Sequence, residues 1–148
     1  MVRAGAARKG GVAGDEPKGA IGMSESPRFF RCRECGGVVT TIRSANMPLS
    51  CCGQPMEEIV PAETGAAEKH RPVAEIKGST VSVSVGAVGH PMLAEHAIEW
   101  VYLQTGHGGQ WKRLAAGGEP KTVFSLEDDQ AVAVFAFCNL HGLWKTTL

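Results

Sequence analysis

The 148-residue chain shows no excess of charge of either sign: 15 Lys and Arg balance 15 Asp and Glu, for a formal net charge of zero. That argues against a general nucleic-acid binder, which would carry a basic surplus. No stretch is long and apolar enough to span a bilayer. The opening residues, MVRAGAARKGGVAGDEPKGAIG, are positively charged but hold no apolar run, so they do not read as a secretory signal. There is no long amphipathic helix and no internal repeat. Cysteine is scarce and odd in number, five in all, and four fall between Cys32 and Cys52. With no export signal read, such a cluster favours metal ligation over disulfides, and a cytoplasmic location is expected.

What is present divides by composition. The chain is 43% apolar, enough for a sizeable core in a small domain plus a modest one. Residues 1–27 are rich in Gly and Ala, charged and without hydrophobic period, and read as a disordered extension. Residues 28–60 hold the cysteine cluster. VPAETGAAE, Val60 to Glu68, reads as a linker, and residues 61–148 read as mainly β. TVSVSV (Thr80 to Val85) alternates strictly, with Val81, Val83 and Val85 on one face. AIEWVYLQ (Ala97 to Gln104) and KTVFSL (Lys121 to Leu126) are short and rich in β-branched and aromatic residues. QAVAVFAFC (Gln130 to Cys138) alternates and then shifts phase near Phe135. Gly and Pro turns between these runs suggest an antiparallel β-sandwich.

Two constellations carry chemistry. Cys32 and Cys35 form C-x-x-C, followed by two glycines; Cys51 and Cys52 are adjacent and followed by Gly53. Four thiolates suit a soft tetrahedral ion, iron or zinc. Neighbouring side chains on a strand point to opposite faces, so both Cys51 and Cys52 reach one ion only where the backbone turns sharply, and a distorted tetrahedron is expected. The second constellation is dispersed: His70, then His90 and His96 in GHPMLAEH, then Cys138 and His141 in CNLHG. These four imidazoles and one thiolate lie in turn-flanked segments, where a rigid sandwich mounts its ligands. Five donors leave one octahedral position open, the layout of a reactive metal. His107, in TGHGGQ, reads as a solvated loop histidine.

At these residues the sequence resembles the superoxide reductases, and within them the two-iron desulfoferrodoxin type. CRECG, CCGQPM, EKHRPV, GHPMLAEHAIEW, LAAGGEP and CNLHGLWK carry the likeness, in family order from about Phe29 to Lys145. The resemblance implies a small desulforedoxin-like domain followed by an immunoglobulin-like antiparallel β-sandwich. It implies a first iron on Cys32, Cys35, Cys51 and Cys52. It implies a second iron with His70, His90, His96 and His141 in its equatorial plane and Cys138 as axial ligand. It further implies one-electron reduction of superoxide to hydrogen peroxide, with Lys69 attracting the anion and helping to supply protons. Glu68 would close the open position once iron is ferric. A rubredoxin-like electron donor and a homodimer are expected. Pro91 and Asn139 are candidate supporting residues beside the ligands. Ala116 stands where the family commonly has proline, and only a turn should feel the difference.

Overall fold

The computed structural model describes residues 25–42, 48–62 and 67–148. Most of the expected extension over residues 1–27 therefore lies outside the described residues, as does the middle of the expected linker. The N-terminal part is a three-stranded antiparallel sheet: β1 (Phe29–Arg31) pairs on one side with β2 (Val38–Thr40) and on the other with β5 (Glu57–Ile59). Between them, β3 (Ser50–Cys51) and β4 (Gln54–Pro55) close a hairpin. Arg28–Glu58 and Arg33–Glu57 pairs, 2.6 and 2.7 Å long, lie on the surface of this part.

After a four-residue helix α1 (Ala67–His70) come seven strands: β6 (Pro72–Lys77), β7 (Thr80–Val85), β8 (Ile98–Thr105), β9 (Gly109–Arg113), β10 (Lys121–Ser125), β11 (Ala131–Cys138) and β12 (Gly142–Thr147). They form two antiparallel sheets, ordered β10-β7-β6 and β12-β11-β8-β9. The alternation of TVSVSV is realised in full: Val81, Val83 and Val85 are at most 2% exposed and meet Ile98, Val101, Leu103 and Phe124 in the core between the sheets. At the free edge of β10, Gln110 Nε2 and Lys112 Nζ donate to the carbonyls of Ser125 and Val123 at 2.8 and 2.5 Å. Carbonyls that would otherwise template another strand are thus occupied.

The phase shift expected near Phe135 is not there. The register of β11 against β8 shifts instead at its two ends, between Ala131 and Ala133 and between Phe137 and Cys138, and from Ala133 to Cys138 the side chains of β11 alternate between its two faces. The strand looked continuous in hydrophobicity because both of its faces are buried. Val134, Ala136 and Cys138 face the sandwich core. Ala133, Phe135 and Phe137 face the other way, into a second apolar cluster completed by Phe29 of β1. Phe29 lies 5.1 Å from Trp100, 5.3 Å from Tyr102 and 5.5 Å from Phe135, ring centre to ring centre. The expected linker is also tied down at both described ends. The Ala62 N–H donates to the Leu143 carbonyl at 2.8 Å, and Glu68 already belongs to α1.

Candidate metal centres

The four N-terminal cysteines converge, with their donor atoms all within 4.8 Å of one another. The C-x-x-C segment is a tight loop: Gly36 N–H donates to the Cys32 carbonyl at 3.0 Å and Cys32 N–H to the Gly37 carbonyl at 2.9 Å. A side chain at Gly37 would approach Cys35 Sγ to 3.3 Å, so glycine keeps the thiol clear. The sharp turn expected at the adjacent pair is real. Cys52 and Gly53 have φ of 51° and 73°, consecutive left-handed residues at the tip of the β3–β4 hairpin. That is the backbone of a type I′ turn. It swings Cys52 back, so that Cys51 Sγ lies 3.7 Å from Cys35 Sγ and 3.8 Å from Cys52 Sγ. Sulfurs about 2.3 Å from one tetrahedral ion would be about 3.8 Å apart. The proton affinities of Cys32 and Cys51 diverge. The Cys35 backbone amide draws Cys32 down to about 7, and the Cys35 side chain leads in pushing Cys51 up to about 12. A divalent cation removes that conflict by accepting all four as thiolates.

The second group gathers at one end of the sandwich. β6 starts beside the end of β7 (Pro72 opposite Val85), and β8 starts beside the end of β11 (Ile98 opposite Cys138). The residue ending α1, the β7–β8 connection, the last residue of β11 and the β11–β12 turn therefore meet there, and they carry His70, His90 and His96, Cys138, and His141 respectively. Neighbouring rings in the order His70, His90, His96, His141 are 4.7, 4.6, 4.8 and 4.5 Å apart around the circuit. The diagonal from His70 to His96 is 6.1 Å, so the rings form a near-square. Each ring stands steeply to its neighbours, at 64° to 82°. His141 Nδ1 is 2.9 Å from His70 Nε2, 3.1 Å from His96 Nε2 and 3.6 Å from Cys138 Sγ. Cys138 is fully buried as the last residue of the core-facing row of β11, whereas His141 is exposed.

His90 supplies the test of fit. Its Nδ1–H donates to the Pro91 carbonyl at 2.6 Å, which leaves Nε2 as a bare lone pair. That atom is buried and has no hydrogen-bond partner. Buried polar atoms are rarely left so without a function. Burial, with the neighbouring imidazoles adding to it against the Pro91 carbonyl, holds His90 below its ordinary value, so it stays neutral. A neutral imidazole with one nitrogen anchored by a carbonyl and the other unspent is the state in which histidine binds a metal. His70 is held flat against Trp144, 5.1 Å between ring centres and 17° between planes.

Glu68 and Lys69 are exposed and immediately precede His70 on α1. The expected supporting residues are both in contact with the ligand segments: Pro91 as described, and Asn139 through hydrogen bonds to Ala94 and Ala97 on either side of His96. Ala116 lies in an exposed turn, and the next residue, Gly117, donates its N–H to the Met92 carbonyl between His90 and His96. His107 is in an exposed loop as expected, but it is not simply solvated. Its Nδ1 is 3.2 Å from Asp129 Oδ1. The Thr105 side chain is the main cause of an Asp129 carboxyl drawn down to about 2. Trp144 is the contact that sequence reasoning passed over; it sits three residues after His141, and nothing in composition distinguishes it from a core tryptophan.

Comparison with known proteins agrees with this geometry. The Desulfoferrodoxin family model matches residues 62–147, and the model of the desulfoferrodoxin N-terminal domain matches residues 24–59. A desulfoferrodoxin homolog of Archaeoglobus fulgidus is 40% identical over 126 residues, 84% of this chain and 99% of that protein. A superoxide reductase of Pyrococcus horikoshii is 32% identical over 61% of this chain and 94% of its own. The crystal structure of the superoxide reductase from Treponema pallidum superposes with a TM-score of 0.73 at 39% identity, covering 82% of this chain and 98% of that one. In this setting the four-thiolate and four-imidazole–thiolate groups fit two iron ions, one each. Matched in both parts, and aligned almost end to end with its relatives, the chain belongs to the desulfoferrodoxin family.

Proposed function

We propose that the chain is a superoxide reductase. The observation that carries this reading is the near-square of four imidazoles gathered with one buried thiol, Cys138, and an exposed lysine next to the ligand His70. Iron held there would supply the redox step, giving one electron to superoxide, which with two protons becomes hydrogen peroxide. The protein's own part is to hold the donors and manage charge. Cys138, locked in the core, presents a thiolate that favours giving an electron over taking one back. His90, neutral and anchored by Pro91, and His70, stacked on Trp144, keep their lone pairs aimed inward. Lys69 raises the local concentration of a small anion and positions water for proton delivery. Glu68, a hard anion two residues before His70, would suit the more highly charged, oxidised form of iron held there.

An external one-electron donor of rubredoxin type restores the starting state. Iron held by Cys32, Cys35, Cys51 and Cys52 would supply a second one-electron store in the same chain. Five cysteines without a disulfide and the need for a reducing donor fit a cytoplasmic site of action. No helix among the described residues is long and apolar enough to cross a membrane. Balanced charge speaks against a nucleic-acid partner. Exposed Val39 and Ile42, on and just beyond β2, are suited to self-association as a homodimer.

The deciding experiment is the yield of hydrogen peroxide per superoxide consumed by excess reduced protein under anaerobic conditions. One peroxide per superoxide, without dioxygen, is expected. One peroxide for every two, with dioxygen evolved, would mean a dismutase. No reaction above the spontaneous rate would leave an electron-transfer or metal-binding protein.

A further inference from the structure

The pairing of β8 with β11 slips at the ligand Cys138. Phe137 faces Trp100, but Cys138 faces Ile98, so Glu99 is an extra residue and β8 bulges there. Bulges beside functional sites re-aim side chains. The next rung would join Asn139 to Ala97, and only half of it is ordinary. Asn139 N–H donates to the Ala97 carbonyl at 3.1 Å. In return, the Ala97 N–H donates to the Asn139 side-chain Oδ1 at 3.0 Å, in place of the Asn139 backbone carbonyl. The side chain stands in for backbone, so the chain leaves the sheet directly after Cys138. It can then turn back and set His141 Nδ1 3.6 Å from Cys138 Sγ. The same amide's Nδ2 donates to the Ala94 carbonyl at 3.2 Å. A backbone N–H can only donate and a carbonyl only accept, so these two partners also fix which way the amide points.

Ala94 and Ala97 bracket His96. One amide therefore grips the backbone on both sides of one ligand while sitting beside a second and two residues before a third. We propose that Asn139 is the positioning residue of the four-imidazole–thiolate centre, holding the His96 loop and the Cys138–His141 turn in one register before any ion is present. Alanine lacks both functions. Aspartate keeps the acceptor for Ala97 N–H but lacks the donor for Ala94. The inference rests on this group holding iron, not on superoxide being the substrate. A protein inert to superoxide whose iron lifetime depended on Asn139 would sink the proposed activity and leave this inference standing.

The test compares the full-length, iron-loaded protein with Asn139→Ala and Asn139→Asp, following loss of each iron to a chelator by its own visible absorption. The four-cysteine iron is the internal reference. Asn139→Ala should release iron from the second centre about 10- to 100-fold faster, with the first unchanged. Asn139→Asp, which keeps the acceptor for Ala97 N–H but sets an oxygen against the Ala94 carbonyl, should recover only part of the lifetime. Release at the wild-type rate in Asn139→Ala, equal acceleration at both centres, or an aspartate variant no better than alanine would each overturn the proposal. Should Asn139→Ala not fold, Asn139→Ser, too short to span both partners, takes its place with the same criteria.

Discussion

Gly86 is where a single methyl group should do disproportionate harm. It follows β7 with φ of 80°. A Cβ there would fall onto the carbonyl oxygen of Lys69 and come within 2.9 Å of its carbonyl carbon. Around it, Gly86 N–H donates to the Arg71 carbonyl at 3.1 Å and Ala87 N–H to the Glu68 carbonyl at 2.8 Å. Ordinary contact begins at 3.4 Å, so the backbone before His70 must retreat by at least about half an ångström. Gly89 is the control: its φ is 77°, but a Cβ there meets nothing within 4 Å. Gly89→Ala bears only the left-handed penalty, about 1–2 kcal/mol. Gly86→Ala bears that plus two strained hydrogen bonds at about 1 kcal/mol each, about 3–4 kcal/mol in all. At about 2–4 °C per kcal/mol for a chain of this size, Tm should fall by about 10 °C in Gly86→Ala and about 4 °C in Gly89→Ala. Thermal unfolding followed by circular dichroism measures both. Only Gly86→Ala should also lose iron from the second centre, since His70 moves with Lys69. Equal Tm values and equal iron content in the two variants would refute the steric argument.

Phe29→Ala removes the ring that the N-terminal sheet inserts between Trp100, Tyr102 and Phe135, and should cost about 3–5 kcal/mol in urea unfolding; a cost under about 1 kcal/mol would mean the two parts are not packed as one core. Asp129, its carboxyl drawn down to about 2 chiefly by the Thr105 side chain, stabilises the fold fully above its ordinary value near 3.8 and loses that contribution as pH falls through about 2. The Tm difference between wild type and Asp129→Asn should therefore be flat above about pH 4 and shrink below it, and a difference that grew on acidification would contradict the assignment. Lys69→Ala should slow the bimolecular reaction with superoxide about 3- to 10-fold at low salt and much less at high salt, as pulse radiolysis can measure. A loss independent of ionic strength would remove electrostatic attraction as its role.

Much of this architecture was legible in residue order. TVSVSV reads as a half-buried strand because one of its faces is polar, and it is one. The cysteine cluster announces a shared ion, and the adjacency of Cys51 and Cys52 forces a turn that a cysteine at positive φ and Gly53 then supply. What was illegible depended on partners distant in sequence. β11 hid its period because a ring from position 29 covers its second face. β6 and β9 were passed over because they are edge strands with few buried side chains, and charged Glu75 and Lys77 interrupt the first. The His107–Asp129 contact and the side-chain rung at Asn139 exist only once pairing registers are set, and no local pattern encodes a register.

The division of labour among the five donors follows from the same physics. The imidazoles come from a short helix, a loop and a turn, whose backbones are held mostly by a few hydrogen bonds, so their positions depend on supports such as Pro91, Trp144 and Asn139. The thiol comes from the core row Val134, Ala136, Cys138, each wholly buried, in the strand that pairs with both β8 and β12. Moving Cys138 means moving the sheet. Iron bound here would be held by Cys138 from an immobile strand and by the four imidazoles from segments outside the sheets. The sulfur therefore belongs on the strand and the nitrogens on the loops.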